Sequence, residues 1–190
     1  MSNDEDRYFQ EQYATMRQAR RIEIDRAARE AAVEQRISER LQLDDPRLAG
    51  RIRSLGFDGN TARVFDLLPL IHVAWADGKI QQAERERIME ILRARKIGPG
   101  SEAGLFVEAL LETRPTDEFM NESLAILRDV LAGRVGGAST VVDLCLAVAD
   151  AAGGFLGLGG RVSDEERALL EQIASDLGDE AQAALRLRLS

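Results

Sequence analysis

A helix–acidic loop–helix unit occurs twice in this chain, and this repetition constrains the fold more than any other feature. In the first copy Asp77 ends an apolar helix and Glu84 lies in the first turn of the next helix. In the second copy Asp150 is paired in the same way with Glu166, across a longer, glycine-rich loop. Two helical hairpins that each carry an Asp–Glu pair predict four carboxylates around one centre, an arrangement typical of a cation site.

The composition predicts an all-α fold. Leu, Ala, Arg and Glu dominate, and clusters of β-branched residues are scarce. Because 45% of the residues are hydrophobic and only 5% are aromatic, we expect an aliphatic core. The predicted fold is a helical bundle built from two repeated helix–acidic loop–helix units that pack face to face, with a long N-terminal helix. The expected helices of the bundle cover residues 61–76, 81–95, 102–112, 116 or 117 to 132, 139–152 and 163–177, with a last helix to Leu189. Pro69 should kink the first of them, because its ring clashes with the carbonyl of Phe65.

The N-terminal segment differs from the rest of the chain. Residues 4–43 contain no Pro or Gly and mix Arg with Glu and Asp, which predicts one long helix with Ile37 in an apolar edge near its end. We therefore expect a charged N-terminal helix or arm over residues 1–45 and a helical domain over residues 46–190. The arm is either a solvated helix or a segment for docking and self-association.

Charge and cysteine content restrict the partners and the compartment. A net charge of −8 at pH 7 disfavours long-range attraction to nucleic acids, so no nucleic-acid partner is expected. The single cysteine, Cys145, forms no internal disulfide and fits a reducing compartment. The acidic first residues do not resemble a signal peptide, and Asp143 and Asp150 interrupt the best candidate for a membrane span. We expect a soluble, cytoplasmic protein.

The loop that begins at Asp77 is similar to the second half of an EF-hand calcium loop. Residues 77–80 read Asp-Gly-Lys-Ile and, with Glu84, provide the turn glycine and the terminal glutamate of that motif. Val73 and Trp75 stand where further oxygen ligands are required, so this is not an EF-hand. A complete shell of oxygen atoms requires both hairpins, and calcium or magnesium is the expected cation. The expected ligands are Asp77, Glu84, Asp150 and Glu166.

Helix capping is an alternative role for two of these acids. Ser163 and Glu166 have the spacing of a capping box, in which each side chain accepts a hydrogen bond from the other residue's backbone amide. Glu84 occupies the matching position of its own helix. Asp77 has an alternative role as well, because its side chain can end the preceding helix by accepting hydrogen bonds from the loop amides. The cation site is favoured by the position of both Asp77 and Asp150, because the negative end of a helix dipole is a poor place for an anion.

His72 and Cys145 do not indicate a catalytic centre. Both lie within apolar helical segments, where a buried histidine with satisfied hydrogen bonds and a buried thiol are the expected arrangement. The chain has no second histidine, no Ser-centred nucleophile motif and no CxxC pair. We therefore expect no enzymatic activity.

The two acidic units resemble the TerB-like tellurite-resistance family. The resemblance is carried by residues 76–80 with Glu84 and by residues 153–166, and it extends over about residues 60–178. It implies an all-helical, internally two-fold domain whose acidic residues bind a divalent metal. It also implies a role in bacterial tellurite and chemical-stress responses, often beside membrane-associated partners.

These observations together predict a non-enzymatic, divalent-cation-binding helical domain of a bacterial tellurite-resistance or stress-response type. The alternative is a metal-independent protein–protein interaction module. Such an adaptor would use the N-terminal helix and the apolar residues Phe155 and Leu156 of the glycine-rich loop. Protein partners are expected under both hypotheses, and the N-terminal helix is a candidate for self-association.

Overall fold

The computed structural model describes residues 2–132, 134–151 and 164–189, with side chains from Tyr8 onward. All regular secondary structure in these ranges is helical, which confirms the predicted all-α class with a long N-terminal helix. The elements in chain order are α1 (Ser2–Leu41), α2 (Pro46–Ser54), a 3₁₀ helix (Ala62–Leu67), α3 (Leu68–Ala74), α4 (Gln82–Ala94), α5 (Glu102–Glu112), α6 (Asp117–Leu131), α7 (Gly137–Ala151), α8 (Asp164–Leu177) and α9 (Asp179–Leu189).

Several of these helices begin at a side chain that caps the first turn. The Asp45 carboxylate accepts a hydrogen bond from the Arg47 amide at 2.9 Å, and Pro46 occupies the first turn of α2. Thr116 caps α6 by accepting a hydrogen bond from the Phe119 amide at 3.2 Å. Because such caps satisfy amides that have no partner inside the helix, they fix where each helix starts.

Pro69 divides the segment that we predicted as one kinked helix over residues 61–76. The stretch before it is the 3₁₀ helix, and α3 begins at Leu68 with Pro69 in its first turn. Proline has no N–H to donate, and its ring clashes with the carbonyl oxygen four residues earlier. It therefore starts a new helix instead of bending a continuous one. The prediction of a single helix is wrong at this point.

The core of the bundle forms around α3. Leu70, Ile71 and Val73 on this helix are fully buried. Both α3 and α4 pack against α7, and α3 also contacts α8, so the helices of the two predicted hairpins share one aliphatic core. This packing joins the helices that carry Glu84, Asp150 and Glu166 in one bundle. The internal repeat itself stays a prediction.

Only the C-terminal part of α1 joins this core. Ile37 is fully buried, and the Glu34 carboxylate accepts a hydrogen bond from Arg53 of α2 at 2.9 Å. From residue 8 to residue 29 every side chain of α1 is exposed. The helix is thus anchored at one end and extends away from the bundle. No helix in the described ranges combines the length and the apolar character that a membrane span requires.

Candidate metal centre

Asp77 lies in a tight turn between α3 and α4. Gly78 has a φ of 84°, a left-handed conformation that glycine adopts without strain. Its amide donates a hydrogen bond to the Trp75 carbonyl oxygen at 3.0 Å, and the exposed Asp77 carboxylate accepts one from the Lys79 amide at 3.2 Å. The Trp75 indole N–H in turn donates to the Leu110 carbonyl oxygen at 3.0 Å. The backbone that carries Asp77 is therefore held in place by local bonds.

Glu84 is almost completely buried at the start of α4. Its exposed fraction is 2%, and its carboxylate accepts a hydrogen bond from the Gln81 amide at 2.7 Å. This bond is the glutamate half of a capping box, with Gln81 as the cap residue and Glu84 three positions later, as the sequence predicted. A carboxylate has about four acceptor positions, so this bond leaves capacity for another ligand. Capping and metal binding are thus compatible at Glu84.

Glu166 is the second buried acid. It lies in the first turn of α8 with 6% of its surface exposed. Ser163, which would complete the predicted capping box with Glu166, lies outside the described residues, and so do Phe155 and Leu156. The structure therefore places one buried carboxylate at the start of the second helix of each predicted hairpin.

The charges of Asp77 and Glu166 act on the buried carboxyl group of Glu84. Burial raises the pKa of Glu84 to about 7, and the charges of Glu166 and Asp77 act in the same direction. The hydrogen bond from the Gln81 amide opposes this shift, because it stabilises the ionised carboxylate. No Lys or Arg in the described part of the chain contributes to the shift. The described charges that shift the pKa of Glu84 are thus all of its own sign.

Asp150 has a different environment. It is half-buried near the end of α7, and it lines a cleft of about 540 Å³. Arg87 and Arg188 line the same cleft, and the Arg188 guanidinium lies 3.0 Å from the Asp143 carboxylate. Sequence reasoning gave no role to these arginines, because α4 and α9 approach α7 only in the folded chain. Asp150 is not among the described charges that shift the pKa of Glu84.

The four acids do not form a ready coordination shell. Among the described residues, no group of three or more His, Cys, Asp or Glu side chains stands close enough together to hold a metal ion. Asp77, Glu84 and Glu166 are close enough for their charges to interact. An ion held by these three carboxylates together would therefore require their side chains to move toward one another.

Cys145 lies in the packed interior, as the sequence predicted, whereas His72 is only half-buried. Cys145 is fully buried, and burial raises the pKa of its thiol, so the reactive thiolate is disfavoured. Burial is also the main cause that lowers the pKa of His72. We expected the ring nitrogens of His72 to have hydrogen-bond partners. This expectation is wrong for its buried Nδ1 atom, which has no hydrogen-bond partner in the described part of the chain.

The described residues form a helical bundle with a buried glutamate at the start of α4 and of α8, which places the protein in the class of all-α domains. A family model described as tellurite resistance protein TerB matches residues 67–189, more than half of the chain. The chain therefore belongs to the TerB tellurite-resistance family. No curated protein and no solved structure matches it. The matched region begins at Leu67, the last residue of the 3₁₀ helix, and includes all four proposed acidic ligands, and it leaves out α1 and α2.

Proposed function

We propose that this protein is a non-enzymatic domain that binds one divalent cation, in a bacterial tellurite-resistance or stress-response system of the cytoplasm. The proposal depends on one observation above all: Glu84 and Glu166 are both buried, and each lies at the start of the second helix of a hairpin. Burying ionised carboxylates costs several kcal/mol in general, and a bound cation offsets that cost. The proposed ligands are Asp77, Glu84, Asp150 and Glu166.

The donor set favours calcium or magnesium. All four proposed ligands are carboxylates, and hard oxygen ligands suit these two ions better than softer metals. Calcium takes 6–8 oxygen ligands, so water or backbone oxygens must complete the shell. The Asp77 turn is held by local hydrogen bonds before any ion arrives, and Glu84 is fixed by its bond to the Gln81 amide. These bonds position two of the four proposed ligands within the first hairpin.

Thermal unfolding with and without added cations tests this proposal. Protein stripped with a chelator is compared in calcium, magnesium, manganese and zinc. An ion present at about 100 times its Kd should raise the free energy of unfolding by roughly 2.7 kcal/mol. Asp77→Asn should abolish the shift and leave the metal-free protein nearly unchanged, because Asp77 is exposed.

Glu86→Gln is the matched control for this experiment. Glu86 lies on the same helix as Glu84 but is exposed, so its substitution should keep the full shift. The proposal fails if none of the four ions stabilises the wild-type protein. It also fails if Glu86→Gln removes the shift as completely as Asp77→Asn does, because the effect would then be a general response to surface charge.

An interaction module that needs no metal is the second candidate. The observation that favours it is the exposed part of α1, where Tyr8, Phe9, Tyr13 and Met16 are each more than half exposed to solvent. Apolar side chains grouped on a helix that extends from a bundle are typical of a binding segment. Deleting residues 1–29 separates the two candidates, since a cation site in the bundle survives the deletion and an adaptor surface on α1 does not.

A further inference from the structure

The exposed part of α1 has an apolar face that nothing in the described chain covers. Phe9, Tyr13, Met16 and Ile24 make up this arm face, and their side chains are between 54% and 62% exposed. Spacings of four, three and eight residues place them along one side of a helix, because about 3.6 residues complete each turn. Ile22 is equally exposed but lies about 180° around the helix from Tyr13 at that repeat.

Interactions within the exposed part of α1 do not by themselves stabilise a helix of this length. Isolated helices gain little stability without packing, apart from a few tenths of a kcal/mol from each side-chain pair. In the described part of the arm the ion pairs are Arg20–Glu23 at 3.2 Å and Arg26–Glu30 at 3.9 Å, both largely exposed. These features indicate a surface that packs against a partner.

The charge pattern of the arm identifies the kind of partner. Residues 2–11 carry four acids and one arginine, a net charge of −3, whereas residues 17–29 carry five arginines and two acids, a net charge of +3. Residues 12–16 between them have no charge. Two copies that run antiparallel place the acidic segment of each against the basic segment of the other. A parallel pair would place like charges together, which is unfavourable.

We propose that the protein forms a dimer through antiparallel pairing of its α1 arms, centred on residues 12–16. The arm face supplies the apolar seam, and the two oppositely charged segments set the direction of pairing. An anionic membrane fits this surface less well, because the acidic segment and the net charge of −8 repel it. The proposal does not depend on the cation site, since the arm lies outside the matched family region.

Sedimentation equilibrium of the full-length chain tests the dimer. The wild-type protein should be dimeric, and the triple variant Phe9→Ser, Tyr13→Ser, Met16→Ser should dimerise at least tenfold more weakly. Ile22→Ser is the matched control, because it removes an equally exposed apolar side chain from the opposite side of α1. Higher salt should weaken the wild-type dimer, because it screens the complementary charges.

Chemical crosslinking tests the direction of pairing. The native Cys145 is fully buried, so an introduced cysteine is the reactive thiol. In an antiparallel dimer, a short bis-maleimide should join two copies of Gln12→Cys near the centre. It should not join two copies of Ala27→Cys, which would lie about 40 Å apart at 1.5 Å per residue. Crosslinking of both variants would show a parallel pair and overturn the proposed arrangement.

Two further results would overturn the dimer itself. A wild-type chain that stays monomeric up to its solubility limit has no such interface. A monomer that binds vesicles of phosphatidylserine and phosphatidylcholine through the arm face, and loses that binding in the triple variant, would make the arm a lipid-binding helix.

Discussion

Glu84 combines near-complete burial with two acidic neighbours, and this makes its protonation part of the stability of the fold. Because its pKa rises from an ordinary value of 4.5 to about 7, the folded protein binds this proton more tightly than the unfolded chain does. The contribution of the proton is complete below about pH 4.5 and is lost as the pH rises through 7. A shift of this size corresponds to on the order of 3 kcal/mol.

The substitution Glu84→Gln should remove this pH dependence in the metal-free protein. Glutamine is neutral at every pH, and its side-chain oxygen still accepts a hydrogen bond from the Gln81 amide. The variant should therefore be more stable than the wild type at pH 8 and nearly equal at pH 4.5. Urea unfolding at both values, with a chelator present, measures the difference. Equal stability of the two proteins at pH 8 would show that Glu84 is ionised there at no cost.

At the scale of elements, the turn between α3 and α4 depends on one glycine. Gly78 has a φ of 84°, and a Cβ atom added there would meet no neighbour within 4 Å, so the effect of a side chain is a backbone effect. Gly78→Ala should lower the free energy of unfolding by about 1 kcal/mol, because alanine disfavours the left-handed region.

Gly98→Ala is the control for this turn. Gly98 also has open space around it, but its φ is outside the left-handed region. Its substitution should leave stability unchanged or raise it slightly, since alanine reduces the entropy of the unfolded chain. Thermal unfolding of the two variants measures the contrast. A loss of the same size in both would mean that neither effect comes from the φ angle.

Most helix positions were predictable because they depend on local signals. The predicted helix over 102–112 matches α5, where Ser101 caps the first turn, and α6 starts after Thr116 as expected. The effect of Pro69 was predicted wrongly. Whether a proline kinks one helix or separates two helices depends on the packing around the 3₁₀ turn. At the candidate site, the position of Glu84 within its helix was predictable from spacing alone. Its electrostatic interaction with Glu166 could not be predicted in this way, because only the folded chain brings α4 and α8 near each other.

The whole molecule consists of a bundle and a protruding arm. The part of α1 around Ile37 packs in the bundle, because this side chain is fully buried. We predict that deleting residues 1–29 preserves the fold, because the side chains described from residue 8 to 29 are all exposed. Deleting residues 1–45 also removes Ile37 from the core. Loss of a fully buried isoleucine side chain alone costs about 2–5 kcal/mol. Thermal unfolding of the two truncated chains measures the difference, and equal stability would mean that the core needs no part of α1.

The most direct test of the account is whether carboxylates from both hairpins share one ion. Calorimetric titration of chelator-stripped protein with calcium and with magnesium should give one bound ion per chain for at least one of them. Asp77→Asn in the first hairpin and Glu166→Gln in the second should each abolish that binding. Glu165→Gln, a change at the exposed neighbour of Glu166, should keep it. Binding that survives both Asp77→Asn and Glu166→Gln, or that is absent from the wild-type protein, would contradict the proposed metal centre.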